Sequence, residues 1–180
     1  MGLAQLLAPD VRVVRLSAVD LDDLAARGIR GILVDLDNTI TPWRSLEVPP
    51  DTADWLARAR ERFGVCVTSN TTKWRRLALL RERLGVPALG FMRKPLAASF
   101  RRGMQELGTE PATTAMIGDQ LFTDILGARR LGLHAILVQP VSADEFIATK
   151  LMRRLERVAL RALERRGLLV AEKVDGSRAD

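Results

Sequence analysis

Residues 29–39 read IRGILVDLDNT: a short unbroken apolar run, rich in β-branched side chains, that ends on two aspartates one residue apart. A strand buried on both faces of a parallel sheet has this appearance. Four comparable runs follow, VCVTS at 65–69, VPALGF at 86–91, TAMIG at 114–118 and HAILV at 134–138. They alternate with stretches of helical periodicity, as strands joined by crossover helices do. The pattern predicts an α/β fold built on a five-stranded parallel sheet.

Between the first two runs lies a proline-rich stretch around Pro42, Pro49 and Pro50. A helix is then expected from about Thr52 to Phe63, with Trp55, Ala59 and Phe63 on one face. Further helices are expected over Lys73–Leu84, Leu96–Leu107 and Phe122–Leu131. Each of the four is followed by a glycine, at 64, 85, 108 and 132, the residue best able to adopt the left-handed turn that closes a helix. There is no internal repeat and no low-complexity segment.

A chain of 180 residues, 47% hydrophobic and 28% charged, is long enough for one well-buried core and too apolar for wholesale disorder. The patterning divides it into a domain over 1–142, a basic amphipathic helix over 143–170 and a tail over 171–180 expected to be disordered. The single cysteine, Cys66, sits inside an apolar run. That excludes an internal disulfide framework and a cysteine-based zinc site, and points to a small core residue in a reducing cytoplasm. No apolar run approaches a bilayer span, and MGLAQLLAPD lacks the basic start of an export signal. The net charge of +6 favours anionic partners.

In a doubly wound sheet, functional groups gather at the carboxyl ends of the strands. The first run ends in Asp35-Leu36-Asp37-Asn38-Thr39, the second in Ser69-Asn70, the loop after the third carries Lys94-Pro95, and the fourth ends in Gly118-Asp119 with Asp124 close behind. Asp35 and Asp37 alternate along extended chain, so one carboxylate can attack phosphorus while the other reaches the leaving oxygen as an acid. Asp119, Asp35 and the backbone carbonyl of Asp37 would form an all-oxygen site suited to magnesium. Ser69 and Lys94 would bind the remaining phosphoryl oxygens. Asn70 and Lys73 are placed to assist with phosphate, although Asn70 could equally cap the next helix. His134, the only histidine, reads as structural.

These residues, in this order, resemble the four motifs of the haloacid dehalogenase (HAD) superfamily of phosphotransferases: DLDNT, Ser69 with Asn70, Lys94-Pro95, and GDQLFTD from Gly118 to Asp124. The fuller forms of the first and last are similar to subfamily III-A, and within it to the YqeG-type phosphatases, relatives of the mitochondrial phosphatidylglycerophosphate phosphatase. The likeness extends from about Leu7 to Pro140. It implies a Rossmann-like three-layer sandwich and a magnesium-dependent phosphomonoester hydrolase. Asp35 would be the nucleophile that forms an aspartyl-phosphate and Asp37 the general acid and base. Lys94, Ser69 and Asn70 would hold phosphate. Asp35, Asp37 and Asp119 would hold metal, joined by Asp124, which would otherwise orient Lys94 or a metal-bound water. The gaps after the first and third strands, about 30 and 23 residues, are filled by crossover helices and leave no room for an inserted cap domain. The site should therefore be open, flanked by a short flap from Asn38 to Pro49 whose Trp43 and Arg44 either meet substrate or pack on the body.

Basic residues concentrate near the end: Lys150, Arg153, Arg154, Arg157, Arg161, Arg165 and Arg166 stand against Glu156 and Glu164. Ser142 and Glu145 have capping-box spacing, and Ile147, Leu151, Leu155, Val158 and Ala162 recur at helical intervals. Two readings follow. Over 143–168 the helix contacts an anionic membrane as a peripheral element at its inner face, or it packs as core or as the interface of a homo-oligomer. An anionic lipid is one candidate substrate, and a soluble phosphosugar or nucleotide is another. A non-catalytic basic factor bound to nucleic acid or ribosome would need no such acid and lysine set. With no tyrosine and eight other aromatics, it would also have little for base stacking.

Overall fold

The computed structural model describes residues 2–142 and 147–173, with backbone alone at 147–153. The expected capping box at Glu145, the side chains of Ile147 and Leu151, and residues 174–180 lie outside the described residues. The strands are β1 (Val11–Val13), β2 (Gly31–Asp35), β3 (Gly64–Thr68), β4 (Ala88–Leu89), β5 (Thr114–Gly118), β6 (His134–Val138) and β7 (Glu172–Lys173). The helices are α1 (Leu3–Leu7), α2 (Leu21–Ala26), α3 (Pro50–Arg62), α4 (Trp74–Leu84), α5 (Ala97–Leu107), α6 (Leu126–Leu131) and α7 (Ile147–Arg165). Every strand pairing is parallel, in the order β4-β3-β2-β5-β6-β1-β7.

The five expected strands all form, and two more, β1 and β7, extend the sheet beyond β6. β1 and β7 escape a periodicity reading because they span three and two residues. β7 pairs with β1 through Arg12 and Glu172, so residues 172 and 173 of the stretch expected to be disordered belong to the sheet. Two apolar cores lie on opposite faces. Ile32, Val34, Trp55, Leu56, Leu80, Ile117 and Val138 fill one, under α2, α3 and α4. Leu33, Cys66, Phe100, Met104, Met116, Ile125 and Leu163 fill the other, under α5, α6 and α7. Successive strand residues thus point to opposite layers, and the molecule is the expected three-layer sandwich with no inserted cap among the described residues.

Trp55 and Ala59 are fully buried as their spacing requires, and the Trp55 indole N–H donates to the Val19 carbonyl at 2.8 Å. Gly85, Gly108 and Gly132 close α4, α5 and α6 with φ between +62° and +79°. Gly64 does not close α3. It opens β3, where a Cβ would come within 3.3 Å of Leu107.

Of the apolar stripe expected on α7, only Leu155, Val158 and Ala162 have described side chains, and Ala162 is half-buried. Leu155 and Val158 are exposed, whereas Leu163 and Glu156 are buried and Ala159 and Leu160 pack against the second core. No described helix is long and apolar enough to cross a membrane.

Candidate active site

β2 has β3 on one side and β5 on the other, so the chain leaves it in one direction and later returns on the other side. Loops diverge at such a point and open a crevice beyond the carboxyl ends of the strands. A cleft of about 300 Å³ lies there, bordered by Asp35, Asp37, Ser69, Asn70 and Lys94.

Asp35 is the last residue of β2, and its carboxylate meets the Lys94 ammonium at 2.5 Å. The same ammonium lies 2.7 Å from Asp124 and donates to the Thr68 carbonyl at 3.4 Å. Asp119, just past β5, accepts from the Thr39 hydroxyl at 3.5 Å. One oxygen from each of Asp35, Asp119 and Asp124 lies within 4.8 Å of the others, and all three residues are buried. Asp124 reaches this cluster through a π-helical turn, Leu121–Ile125, which precedes α6. Gly118 makes room for it: a Cβ there would fall 2.4 Å from the Asp124 carboxyl carbon. Only glycine fits that approach.

Burial pushes the Asp35 carboxyl up to about 7, with Lys94 opposing the rise and Asp124 and Asp37 adding to it. Burial also works against the charge on Lys94, but Asp124 and Asp35 outweigh it and raise the ammonium above the usual lysine range. One ammonium beside three buried carboxylates leaves the cluster net negative when all are ionised. An all-oxygen set of that charge suits a hard divalent cation.

Asp37 turns its side chain elsewhere. Its carboxylate stands outside the cluster, 2.8 Å from the Arg76 guanidinium, and accepts from the Arg44 amide at 3.1 Å and the Ser69 hydroxyl at 3.5 Å. Its backbone carbonyl is the group that the sequence offered to metal. Arg76 is the functional residue that sequence reasoning missed. Buried on α4, it also binds the Ser45 carbonyl at 2.8 Å and the Thr41 hydroxyl at 2.9 Å, tying Asp37 to the flap. Its signal was an arginine four residues before Leu80, on the apolar face of the helix. Asn70 is not the helix cap, a position taken by Lys73. Its side chain accepts from the Lys94 amide at 2.8 Å and donates to the Lys94 carbonyl at 3.4 Å, so it holds the lysine segment in place. Trp43 and Arg44 border the cleft and stack on each other at 4.2 Å.

Two groups outside the expected set stay structural. Burial pushes the Cys66 thiol up to about 12, leaving it inert. His134 is shifted down by burial and lies 3.6 Å from Asp10.

Similarity to known proteins agrees with this geometry. The family profile described as HAD-hydrolase-like matches residues 91–145. The chain is 35% identical over 166 residues to the probable phosphatase YqeG of Bacillus subtilis (strain 168), covering 92% of this chain and 96% of that protein. It is 30% identical to phosphatidylglycerophosphate phosphatase 1 of Arabidopsis thaliana over 91% of this chain, which spans about half of that longer protein. A solved structure assigned to the HAD-like phosphatases, from Mesorhizobium loti, shares the fold at 18% identity with a TM-score of 0.51, covering 73% of this chain and 86% of its own. An acid-lysine cluster at the switch point, the HAD profile over the third and fourth motifs, and near end-to-end likeness to YqeG converge on one assignment: the chain belongs to the YqeG-type phosphatases of the HAD superfamily.

Proposed function

We propose that the protein is a magnesium-dependent phosphomonoester hydrolase working through an aspartyl-phosphate on Asp35. The observation that carries this reading is the placement of Lys94 between Asp35 and Asp124, with Asp37 held apart on Arg76. The two aspartates of the first motif thereby occupy different environments, as separate nucleophile and acid-base roles require.

In this mechanism Asp35 attacks phosphorus and forms the new P–O bond while the bond to the leaving oxygen breaks. Asp37, at the flap side of the cleft, gives its proton to that oxygen. It then takes a proton from the water that attacks phosphorus in the second step, releasing inorganic phosphate and restoring Asp35. Ser69 and Lys94 bind the non-bridging oxygens, with Asn70 fixing the Lys94 backbone. Asp35, Asp119 and Asp124, with the Asp37 carbonyl, would hold the ion. When bound, magnesium would supply positive charge that lets a carboxylate approach an anionic phosphate.

For substrate, the names of the relatives in Arabidopsis thaliana and Chlamydomonas reinhardtii support phosphatidylglycerophosphate or a similarly exposed lipid-borne phosphate. A cleft that no cap covers among the described residues suits a head group presented at a surface. The exposed Leu155 and Val158 of α7, beside Arg154, Arg157 and Arg161, support a peripheral contact of residues 143–168 with that surface. The test is phosphate release, with and without magnesium, from phosphatidylglycerophosphate in mixed micelles, sugar phosphates and nucleotides. Lipid phosphate should be preferred by kcat/KM. Preference for a soluble ester would overturn the substrate, and inactivity on every ester would overturn the enzyme.

A further inference from the structure

Two hydrogen-bonded segments build one side of the cleft. The Phe91 amide donates to the Thr71 carbonyl at 3.1 Å, the Met92 amide to the Ser69 carbonyl at 3.2 Å and the Lys94 amide to the Asn70 side chain at 2.8 Å. Along the second segment Met92 and Lys94 turn inward and are buried, which sends Phe91 and Arg93 outward. Both outward residues are held at positive φ, +54° and +51°, a conformation that costs a bulky L-residue energy. Phe91 is thus kept in water at 58% exposure. Trp74, three residues beyond Thr71, is 66% exposed, and Leu96, two beyond Lys94, is 57% exposed.

Cations alternate with these apolar groups. Lys73 and Arg75 flank Trp74, with the Arg75 guanidinium 5.3 Å from the Trp74 ring, and Arg93 follows Phe91. No carboxylate occurs in either segment, 69–76 or 90–96. Large apolar side chains of the interfacial kind, interleaved with the cations Lys73, Arg75 and Arg93, match the boundary between head groups and acyl chains of an anionic bilayer. We infer that the apolar rim carried by Trp74, Phe91 and Leu96, on the two segments whose Thr71, Thr72, Lys73 and Lys94 line the cleft, docks on an anionic lipid bilayer, which places the open cleft against the head groups. This deepens the lipid-phosphate reading, on which its functional meaning rests, and makes the rim rather than α7 the principal anchor.

The test is cosedimentation of the full chain with vesicles of phosphatidylcholine and phosphatidylglycerol at low and high salt, alongside hydrolysis of soluble p-nitrophenyl phosphate. The rim variant is Trp74→Ala/Phe91→Asn/Leu96→Ser. Asparagine tolerates positive φ, and serine suits the helix-cap position that Leu96 occupies before α5. Wild type should bind at low salt, release as salt rises, and lose binding about tenfold or more in the rim variant, with turnover of the soluble ester unchanged. Vesicle binding that survives in the rim variant but disappears in Leu155→Gln/Val158→Gln would overturn the inference. So would no wild-type binding, or a rim change that alters only the oligomeric mass. Rim-dependent binding by a protein that hydrolyses no ester would refute the phosphatase reading and leave the docking surface standing.

Discussion

Asp37 and Arg76 are joined at 2.8 Å by an ion pair between the loop after β2 and the buried face of α4. The same guanidinium holds Thr41 and Ser45, so Arg76 ties Asp37 to the flap. Arg76→Lys keeps a charge but loses the planar fork that reaches three partners. It should lower kcat on p-nitrophenyl phosphate by up to about 100-fold with a smaller change in KM, the cost of a misplaced catalytic group. Paired with Asp37→Asn, the losses should be far from additive. A fully active Arg76→Lys would remove Arg76 from the site.

Stability should report the buried Asp35 directly. Its carboxyl rises from the usual 3.8 to about 7, so between those pH values the folded state binds more protons than the unfolded chain, and its stability falls as pH increases. Asp35→Asn removes that cost and leaves Lys94 paired with Asp124. In metal-free buffer the variant should melt higher than wild type at pH 8, by an amount that shrinks toward pH 4. An equal or lower melting temperature at pH 8 would mean that the ionised carboxylate is not under strain.

Magnesium should add about 2.7 kcal/mol of stability at a hundredfold excess over its dissociation constant, read as a rise in melting temperature. Asp119→Asn should abolish most of this rise, because it removes one carboxylate of the cluster. A magnesium response that survives the change would place the ion elsewhere.

Glu156 connects α7 to the fourth motif: its buried carboxylate accepts from the Leu121 amide at 2.7 Å, two residues from Asp119. Glu156→Ala leaves that amide without its acceptor and should cost about 1–3 kcal/mol, with reduced turnover, while Glu156→Gln should be milder. Chemical denaturation with a parallel assay measures both.

The legible parts of this molecule were those with a strong local signal. Five strands announced themselves as apolar runs, and the carboxyl-end rule brought Asp35, Asp119, Asp124 and Lys94 to one place. What stayed hidden depended on partners distant in sequence. β1 and β7 are too short to show a period and exist because β1 pairs with β6 and β7 pairs with β1. On α7 the apolar spacing chose Leu155 and Val158, but the helix buries Glu156 and Leu163, because a carboxylate satisfied by Leu121 can enter the core and turn the helix. Arg76 read as one charge among many on α4. Its role appears only when Asp37, Thr41 and Ser45 come together around it.

Acid-quench trapping reads covalent chemistry at Asp35 on the protein itself. Wild type mixed with magnesium and a labelled phosphomonoester, quenched in acid and digested, should carry label on the peptide containing Asp35, with none on Asp35→Asn. Turnover by wild type with no label at Asp35, or magnesium-dependent turnover retained by Asp35→Asn, would contradict it.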